Sequence, residues 1–419
     1  MSADIADLDE QPLTPPRRYQ SAVGNVVNAS VPTFESILAP SARRWTSGRV
    51  RFGLLGSYPP STSGVATFGS ALAAALTARG SEVSVVRIAD GSESPDAGVI
   101  GELVKGSPQS VTACVESLNG SEVAVIQHQQ GLYGGTHGDE VLAILGGLRV
   151  PSIVIVHDVS KSPEPHQRWV LEQIVTMADS VVVMSEAARA RLRGEYGVDG
   201  HKIVVIPHGA VLPTQPRLKR GSRPVILSFG LLGPGKGVEH VIDAMPSLLS
   251  VAGRPRYVVA GRTHPEVLAR DGEAYREARV EQARAGGVAD SVSFDDRYLD
   301  RASLAALIQT AAVIVLPFDS KDQVTSGVLV DAVASGRPVV ATAFPHAVEL
   351  LCDGAGIVVP HDDPQALTAA LRRVLSQPRL AGSMAAEARQ LAPTMAWPVV
   401  ADAYAQLAAR VVGERQMRM

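Results

Sequence analysis

Short apolar runs alternate with longer amphipathic stretches along most of the chain. In the first half, runs rich in Val and Ile predict six buried strands, at residues 50–55, 82–88, 123–127, 152–157, 180–184 and 202–206. Helical spacing of apolar residues fills intervals between them, as at residues 65–78 and 164–178, and Gly80 stands where a helix C-terminal glycine is expected. Strands separated by helices need crossover connections, so the pattern predicts a parallel sheet.

The alternation stops near residues 211–223, where prolines bracket basic and polar residues, and then restarts. The second series predicts strands at residues 225–229, 257–260, 292–294, 312–316, 338–342 and 356–359, with helices near residues 238–250 and from Gly327. We therefore expect an α/β protein with two doubly wound, Rossmann-like domains, residues 48–212 and 224–394, joined by a linker at 213–223 and facing a central cleft. In such sheets ligands bind beyond the carboxyl ends of the strands, which makes the cleft the predicted site.

The N-terminal segment has a different character. Residues 1–47 lack sustained periodicity and contain five prolines, so we expect a disordered tail or an arm that lies over the next domain. Its acidic start is unlike a secretory signal or a transit peptide. No window of about 18 apolar residues predicts a membrane span. We therefore expect a cytoplasmic protein.

Composition excludes several classes of protein. The chain has 419 residues, with 39 basic and 42 acidic side chains and a formal net charge of −3, so no global field favours a nucleic acid partner. Cys114 and Cys352 are too few and too far apart for a disulfide framework or a zinc site, and we expect both to be buried. No Asp-x-Asp pair or cluster of ligands predicts a bound metal or another cofactor.

A basic cluster near the start of the first domain bears on membrane contact. It contains Arg43, Arg44, Arg49 and Arg51. Such a cluster allows peripheral contact with the inner face of a membrane, although a solvated face is the simpler explanation.

Two loops that follow strands are rich in glycine. The first runs from Gly56 to Phe68, and its Gly64 opens a helix whose free N–H groups suit a phosphate or a sugar oxygen, although a plain tight turn would also explain it. The second runs from Gly230 to Gly237, and its Lys236 can supply a positive charge to a phosphate. Because Gly237 follows Lys236, this loop fails the P-loop pattern.

A third segment places polar groups at the start of a predicted helix. Thr325 or Ser326 is a good N-cap, and Gly327 and Val328 then offer unpaired N–H groups to an anion. Asp331 follows about one turn later and can accept hydrogen bonds from a ribose diol; the alternative is that it only compensates the helix dipole.

These segments, in this order, resemble the family 4 retaining glycosyltransferases, which have the two-domain GT-B fold. The resemblance extends over about residues 50–412 and includes residues 64–68, 156–158, 205–209, 260–265 and 325–342. It implies that Lys236, within a loop that includes Gly235, binds the donor diphosphate. It also implies that Gly327 and Val328 bind phosphate. The C-terminal stretch 395–419 is expected to cross back to the first domain with Trp397 as an apolar anchor; a terminal helix on the second domain is the alternative.

Two departures from the family pattern change the expected donor site. The family usually has two glutamates separated by seven residues, and here those positions hold Gln323 and Asp331. Gln323 can still hydrogen-bond hydroxyls of the transferred sugar, and Asp331 can hold the ribose. An arginine common in the phosphate loop is replaced by Leu231, and Arg262 is its candidate substitute unless it is a surface cation.

Two histidines end predicted strands at the cleft. His157 is followed by Asp158, and the resemblance implies that His157 orients the donor sugar, although a lone histidine is more often structural. His128 has a similar position, and we assign His128 and Asp158 to the acceptor side.

The resulting hypothesis is a glycosyltransferase that moves a hexose from a UDP-glucose or GDP-mannose type of donor to a sugar, glycan or lipid-linked acceptor, as in polysaccharide biosynthesis. His157, Lys236 and Gln323 are the predicted catalytic residues, and the resemblance implies front-face displacement without a protein base. A nucleotide-sugar epimerase of the same fold and a non-catalytic nucleotide-sugar binder are the alternatives.

Overall fold

The structure is a computed structural model that describes residues 50–94, 96–213, 223–297 and 299–418. The tail predicted at residues 1–47 and most of the linker predicted at 213–223 lie outside the described residues. Arg43, Arg44 and Arg49 of the basic cluster lie outside them too, whereas Arg51 begins the first strand.

The first described half contains a parallel sheet of seven strands in the order β3-β2-β1-β4-β5-β6-β7. Its strands are β1 (Arg51–Gly56), β2 (Glu82–Ile88), β3 (Val99–Leu103), β4 (Val123–His128), β5 (Ser152–Val156), β6 (Ser180–Val183) and β7 (Ile203–Val205). Its helices are α1 (Gly64–Ala78), α2 (Pro108–Asn119), α3 (Glu140–Gly147), α4 (Pro165–Met177) and α5 (Glu186–Glu195). The strands β4, β5 and β6 are buried along their whole length, which explains their continuous apolar runs.

The second described half repeats this architecture around six parallel strands in the order β10-β9-β8-β11-β12-β13. Its strands are β8 (Val225–Phe229), β9 (Arg256–Ala260), β10 (Val292–Asp295), β11 (Val313–Leu316), β12 (Val339–Thr342) and β13 (Gly356–Val359). Its helices are α6 (Val238–Leu248), α7 (Pro265–Asp271), α8 (Ala274–Ala285), α9 (Arg301–Thr310), α10 (Gly327–Ala334), α11 (Pro345–Leu351), α12 (Pro364–Ser376) and α13 (Pro378–Leu391). Two parallel sheets with flanking helices confirm the predicted fold class.

The last helix, α14 (Trp397–Arg418), packs against α1 of the first half. The chain enters it through a short bridge in which the N–H of Ala210 donates to the carbonyl of Met395 at 2.7 Å. Near its far end, the Arg415 guanidinium lies 3.5 Å from the carboxylate of Asp179. The C-terminal helix therefore contacts both the end of the first half and its outer helix layer.

A second set of contacts joins the halves at the N-terminus of α5. The Glu349 carboxylate, on α11, accepts hydrogen bonds from the N–H groups of Glu186 and Ala187 at 2.9 and 2.8 Å. The Ser185 hydroxyl caps the same helix and donates to the carbonyl of Val324 at 2.5 Å. Val324 itself is buried in the apolar core of the first half. We call these residues, 185–187, Val324 and Glu349, the interdomain contact.

Two sequence expectations were incomplete or wrong. Strand β3 was not predicted, because its residues alternate between partly buried and exposed at the edge of the sheet, and Gly101 interrupts its apolar pattern. Cys114 is buried as expected, but Cys352 is exposed because it follows the last residue of α11 at the surface. Within the part of the chain that the structure describes, no helix is long and apolar enough to cross a membrane.

Candidate functional site

The loops that end β1 and β8 are shaped by backbone constraints. At the first, Ser63 caps α1 by accepting a hydrogen bond from Ala66 N–H at 3.1 Å, and the next residue, Gly64, is exposed with open space beside it. At the second, Gly237 has φ of +64°, and a Cβ atom there would lie 1.8 Å from the carbonyl oxygen of Pro317. Glycine is therefore required where this loop turns into α6.

Lys236, in the second loop, lies over an aromatic ring. Its Nζ atom lies 4.6 Å from the centre of the Phe318 ring, and burial lowers the pKa of its ammonium group. Among the described carboxylates, none lies within 4 Å of Nζ. Lys236 thus presents a partly desolvated positive charge, and Gly235 beside it is exposed.

The start of α10 forms the other wall of this region. Ser326 is the N-cap, and its hydroxyl accepts a hydrogen bond from Leu329 N–H at 3.2 Å. The N–H groups of Gly327 and Val328 make no intrahelical bond because they belong to the first turn. The Val328 side chain lies against Gly230, since a Cβ atom on that glycine would be 3.2 Å away. The helix start and the glycine loop are therefore neighbours, as the sequence hypothesis requires.

Gln323 and Thr325 belong to the segment that leads into α10. The Gln323 side-chain amide donates to the carbonyl of Thr325 at 3.1 Å, which ties it to its own loop. The Thr325 hydroxyl is buried and has no hydrogen-bond partner among the described residues. An unpartnered buried hydroxyl is costly, so this group is available to a ligand.

Asp331 lies further along α10 and is largely shielded from solvent. Burial raises the pKa of its carboxyl group to about 7, and the positive charge of Arg301 opposes that rise. Its side chain makes no hydrogen bond within the described part of the chain. Arg301 itself donates to the carbonyl of Thr67, on α1, at 3.1 Å. Arg301 therefore links the second half to the first beside Asp331.

His157, at the end of β5, belongs to a buried aromatic group. Its Nε2 atom lies 3.1 Å from the side-chain oxygen of Gln127, and its ring contacts Phe68 edge to face at 5.0 Å between centroids. Burial lowers the pKa of His157 to about 3, with His208 and His128 adding to the effect. A neutral His157 therefore lies at the carboxyl end of the first sheet.

The predicted acceptor-side residues line a small cavity in the first half. Burial lowers the pKa of His128 to about 4, and its Nδ1 atom has no hydrogen-bond partner in the described residues. Burial also raises the pKa of Asp158, which accepts a hydrogen bond from Gln130 N–H at 3.3 Å. Both side chains face the cavity together with His137 and Tyr196.

Arg262 is exposed at the end of β9, where its carbonyl pairs with the N–H of Leu232. A second arginine near this strand end, Arg276, was not predicted as a site residue. Arg276 is buried, donates to the carbonyl of Gly261 at 2.8 Å and pairs with Glu273. It fixes the strand end that touches Gly230, so Arg276 supports the loop, while a direct phosphate contact by Arg262 stays a prediction.

Three residues near the start of α10 were not predicted as site residues, although two of them lie in motifs that the sequence analysis included. Phe68 contacts both His157 and His208, and a Cβ atom on Gly327 would lie 2.8 Å from Nε2 of His208. The third, His346, accepts a hydrogen bond from Ser326 N–H through Nδ1 at 2.9 Å. Through these contacts the structure brings His157 of the first half and the start of α10 into one region.

Comparison with known proteins places these features in context. Residues 223–377 match the family model described as Glycosyl transferases group 1, and residues 62–212 match the model described as Glycosyltransferase Family 4. Together the two models cover the greater part of the chain. In the described residues, no group of three or more His, Cys, Asp or Glu side chains could hold a metal ion.

Several curated proteins are similar in sequence. The D-inositol 3-phosphate glycosyltransferase of Kineococcus radiotolerans is 28% identical over 301 residues, which are 64% of this chain and 67% of that protein. The GDP-mannose-dependent alpha-(1-6)-phosphatidylinositol monomannoside mannosyltransferase of Mycolicibacterium smegmatis is 29% identical over 275 residues, 60% of this chain and 69% of that protein. The glycogen synthase of Mycobacterium tuberculosis is 32% identical over 252 residues, and the match covers 58% of this chain and 57% of the synthase.

Solved structures share the fold at lower identity. Sucrose-phosphate synthase from Thermosynechococcus elongatus superposes with a TM-score of 0.68 at 18% identity, covering 87% of this chain and 100% of that chain. Anabaena HepE in complex with UDP and glucose gives a TM-score of 0.66 at 17% identity, and the match covers 86% of this chain and 100% of HepE. At these identities the likeness shows the fold, two Rossmann-like domains of the GT-B type.

Proposed function

Because the chain belongs to the family 4 glycosyltransferases, we propose that it transfers a hexose from a nucleotide-diphosphate sugar to a hydroxyl group of a sugar, glycan or lipid acceptor. The chain is a glycosyltransferase enzyme, and the choice of donor, the acceptor and the stereochemistry belong to the proposal. Similar proteins named for GDP-mannose and for phosphatidylinositol or inositol phosphate acceptors support these classes of substrate. A uridine donor is included because HepE, which shares the fold, was solved with UDP and glucose.

The observation that carries the donor proposal is the pairing of one cation with free backbone donors. Lys236 has no acidic partner among the described residues, and the amides of Gly327 and Val328 open a helix beside the same glycine loop. A diphosphate bound there would receive the lysine charge and hydrogen bonds from the helix start. The unpartnered Thr325 hydroxyl and the loop glycine Gly235 would lie along it. In the first half, Gly64 begins α1, and Phe68 of that helix contacts His208 beside Gly327.

For the transfer itself we propose the front-face displacement that the family resemblance implies. The bond between the anomeric carbon and the diphosphate oxygen breaks, and a bond from that carbon to the acceptor oxygen forms on the same face of the sugar. The acceptor proton passes to the leaving diphosphate, whose developing negative charge Lys236 and the helix amides stabilise. His157 and Gln323 would orient the hexose, Asp331 the ribose, and His128 and Asp158 the acceptor. The proposal includes no metal ion and places the reaction in the cytoplasm, at or near the inner face of the membrane.

A donor screen with product detection tests the function. Purified protein is incubated with UDP-glucose or GDP-mannose and with inositol phosphate, a glucan or a phosphatidylinositol lipid, and the product mass is measured. We expect a mass gain of one hexose on one acceptor. Donor turnover without a glycosylated product would indicate an epimerase, and binding without turnover a nucleotide-sugar binder.

Substitution of Lys236 tests the donor site. We expect Lys236→Ala to weaken donor binding and to lower kcat/KM by about 100-fold, since a charge-assisted contact to phosphate contributes roughly 1.5 to 3 kcal/mol and more as charge develops. The matched control is Lys321→Ala, which removes an exposed lysine paired with Asp362 on the surface of the same half. Equal activity of both variants would refute the assignment of Lys236.

A further inference from the structure

His208 lies where the first half of the chain meets the start of α10. It follows β7 in the segment Ile206 to Gly209. A Cβ atom added to Gly327 would lie 2.8 Å from its Nε2 atom and 3.1 Å from its Cε1 atom, so the imidazole edge packs directly on the first residue of the helix. The ring is held in place by Phe68, at 5.0 Å between centroids, and by Trp397 at 6.1 Å.

The hydrogen bond on the other side of the ring fixes the tautomer. The Nδ1 atom of His208 lies 2.8 Å from the carbonyl oxygen of Gly209. A carbonyl oxygen only accepts, so Nδ1 carries the hydrogen. In the neutral ring, Nε2 then has a lone pair and no hydrogen, and this lone pair is directed at the helix start.

The surroundings keep the ring neutral in the ligand-free protein. Burial lowers the pKa of His208 to about 4, and the hydrogen bond to Gly209 opposes that shift. Phe68 and Trp397 bring no charge. His157 on the first sheet and His346 on α11 interact with it electrostatically. In the described part of the chain, no carboxylate, lysine or arginine contributes to its pKa shift.

A diphosphate bound at the amides of Gly327 and Val328 would favour the protonated form of His208. A neutral Nε2 would direct its lone pair at phosphate oxygens and repel them, whereas a protonated Nε2 would donate a charge-assisted hydrogen bond. We infer that His208 takes up one proton from solvent when the nucleotide diphosphate of the donor binds, and then donates a hydrogen bond from Nε2 to a phosphate oxygen. This inference rests on the proposed donor site.

Proton uptake by His208 would supply positive charge that the glycine loop lacks. Leu231 occupies the loop position at which an arginine is expected from the family pattern, and Lys236 is the cation of that loop. The imidazolium would approach the diphosphate from the opposite wall, contributed by the first half of the chain. His208 would therefore contribute to donor binding where the first half contacts the start of α10. Because the bound state holds the additional proton, this residue makes donor affinity rise as the pH falls toward 6, by up to about tenfold per pH unit.

Calorimetry measures this proton directly. UDP-glucose and GDP-mannose are titrated into the full chain at pH 6.5 in buffers of different ionisation enthalpy, and the buffer dependence of the binding heat gives the number of protons taken up. The diphosphate of these sugars is diesterified and does not itself titrate near this pH. Asp331 can release a proton on binding, so the decisive quantity is the difference between wild type and His208→Asn.

We expect the wild type to take up between half a proton and one proton more than His208→Asn, and the variant to bind at least tenfold more weakly at pH 6.5. The matched control is His201→Asn, which removes an exposed histidine outside this region and should keep the wild-type value. Binding with equal proton uptake in wild type and His208→Asn would overturn the inference and leave the proposed function standing. If neither nucleotide sugar binds the wild type, both fail.

A measurement on the wild type alone guards against a variant that does not fold. In protein with ¹⁵N-labelled histidine at pH 6.5, the buried imidazoles should show the neutral pattern before donor is added. We expect one of them to convert to the imidazolium pattern on saturation with the donor that binds. Donor saturation without any such conversion would overturn the inference.

Discussion

The carboxylate of Asp331 illustrates how one residue links burial to ligand binding. Its pKa lies near 7 in the ligand-free protein because burial outweighs the nearby charge of Arg301. A ribose diol would donate two hydrogen bonds to the ionised carboxylate and so lower this pKa again. The ionised carboxylate therefore destabilises the folded protein while no donor is bound, and it stabilises the complex when the donor is present.

The contribution of Asp331 to stability depends on pH. A carboxyl whose pKa is raised in the folded state binds more protons than the unfolded chain between about pH 4 and pH 7, so its contribution to the free energy of unfolding falls as the pH rises through that range. Asp331→Asn removes this effect. We expect it to raise the free energy of unfolding relative to wild type by roughly 2 to 4 kcal/mol at pH 8 and by less at pH 5. Urea denaturation at both pH values measures this difference.

Asp290→Asn is the matched control. It removes an exposed carboxylate on the surface of the second half and should leave the free energy of unfolding unchanged at both pH values. Donor affinity of Asp331→Asn should fall at pH 8 even though the variant is more stable. A variant that is stabilised equally at pH 5 and pH 8 would mean that Asp331 remains ionised in the folded protein.

At the level of whole elements, helix α5 is completed by residues from the other half of the chain. Its first two N–H groups donate to Glu349, and the next accessible N–H, that of Ala188, donates to Ser185. The same serine holds the carbonyl of Val324, and Arg191 donates to the carbonyl of Asp322 at 2.6 Å. The segment that leads into α10 is therefore fixed from the first half by hydrogen bonds to its backbone.

We expect the interdomain contact to couple α5 to the segment before α10. Glu349→Ala leaves two helix N–H groups without their acceptor, which destabilises the start of α5 by about 1 kcal/mol and loosens the segment before α10. We expect faster amide hydrogen exchange both in residues 185–195 and in residues 322–330, together with a higher KM for the donor. Mass spectrometry of peptic peptides resolves the two regions.

Glu277→Ala, on the exposed face of α8, should leave exchange in both regions unchanged. Faster exchange in α5 with an unaltered segment 322–330 would show that Glu349 acts on its helix alone. In that case the contact would stabilise the fold without coupling the halves at the donor site.

Element prediction from the sequence succeeded where burial on both faces produced continuous Val and Ile runs. The boundaries of β8, at Val225–Phe229, agree with the prediction, and Ser326 is one of the two N-caps expected. The edge strand β3 was missed because half-buried residues leave no such run. Helix starts are predictable because capping is local, whereas the partners of Glu349 lie more than 160 residues away in the chain.

For the molecule as a whole, the sequence predicted two domains around a cleft but not how side chains meet between them. His208 and Gly327 are distant in sequence, and their contact depends on how the two halves pack. The motif that contains His208 was recognised without a role for the histidine, because a motif gives residue order and not the direction of a side chain. The same holds for Phe68, whose ring is surrounded by His157, His208 and Trp397.

Trp397 connects this aromatic group to the helix that returns to the first half. Its indole contacts Phe68 at 5.3 Å between centroids, and a Cβ atom on Gly209 would lie 2.4 Å from its ring. The backbone N–H of Trp397 donates to the carbonyl of Ala210 at 3.3 Å. The residue that begins α14 therefore packs against Phe68 and Gly209, beside His208.

We expect this packing to couple the C-terminal helix to donor binding. Trp397→Ala leaves a cavity behind Phe68 and His208, and we expect it to lower the free energy of unfolding by roughly 3 kcal/mol. Because His208 loses its apolar support, donor affinity should fall as well, at temperatures where the variant is fully folded. Trp169→Ala is the matched control, since that tryptophan is 46% exposed on α4 and should affect neither quantity. Denaturant titration measures stability, and donor calorimetry measures affinity. A destabilised Trp397→Ala variant with wild-type donor affinity would show that the indole supports the fold and does not hold His208 against the start of α10.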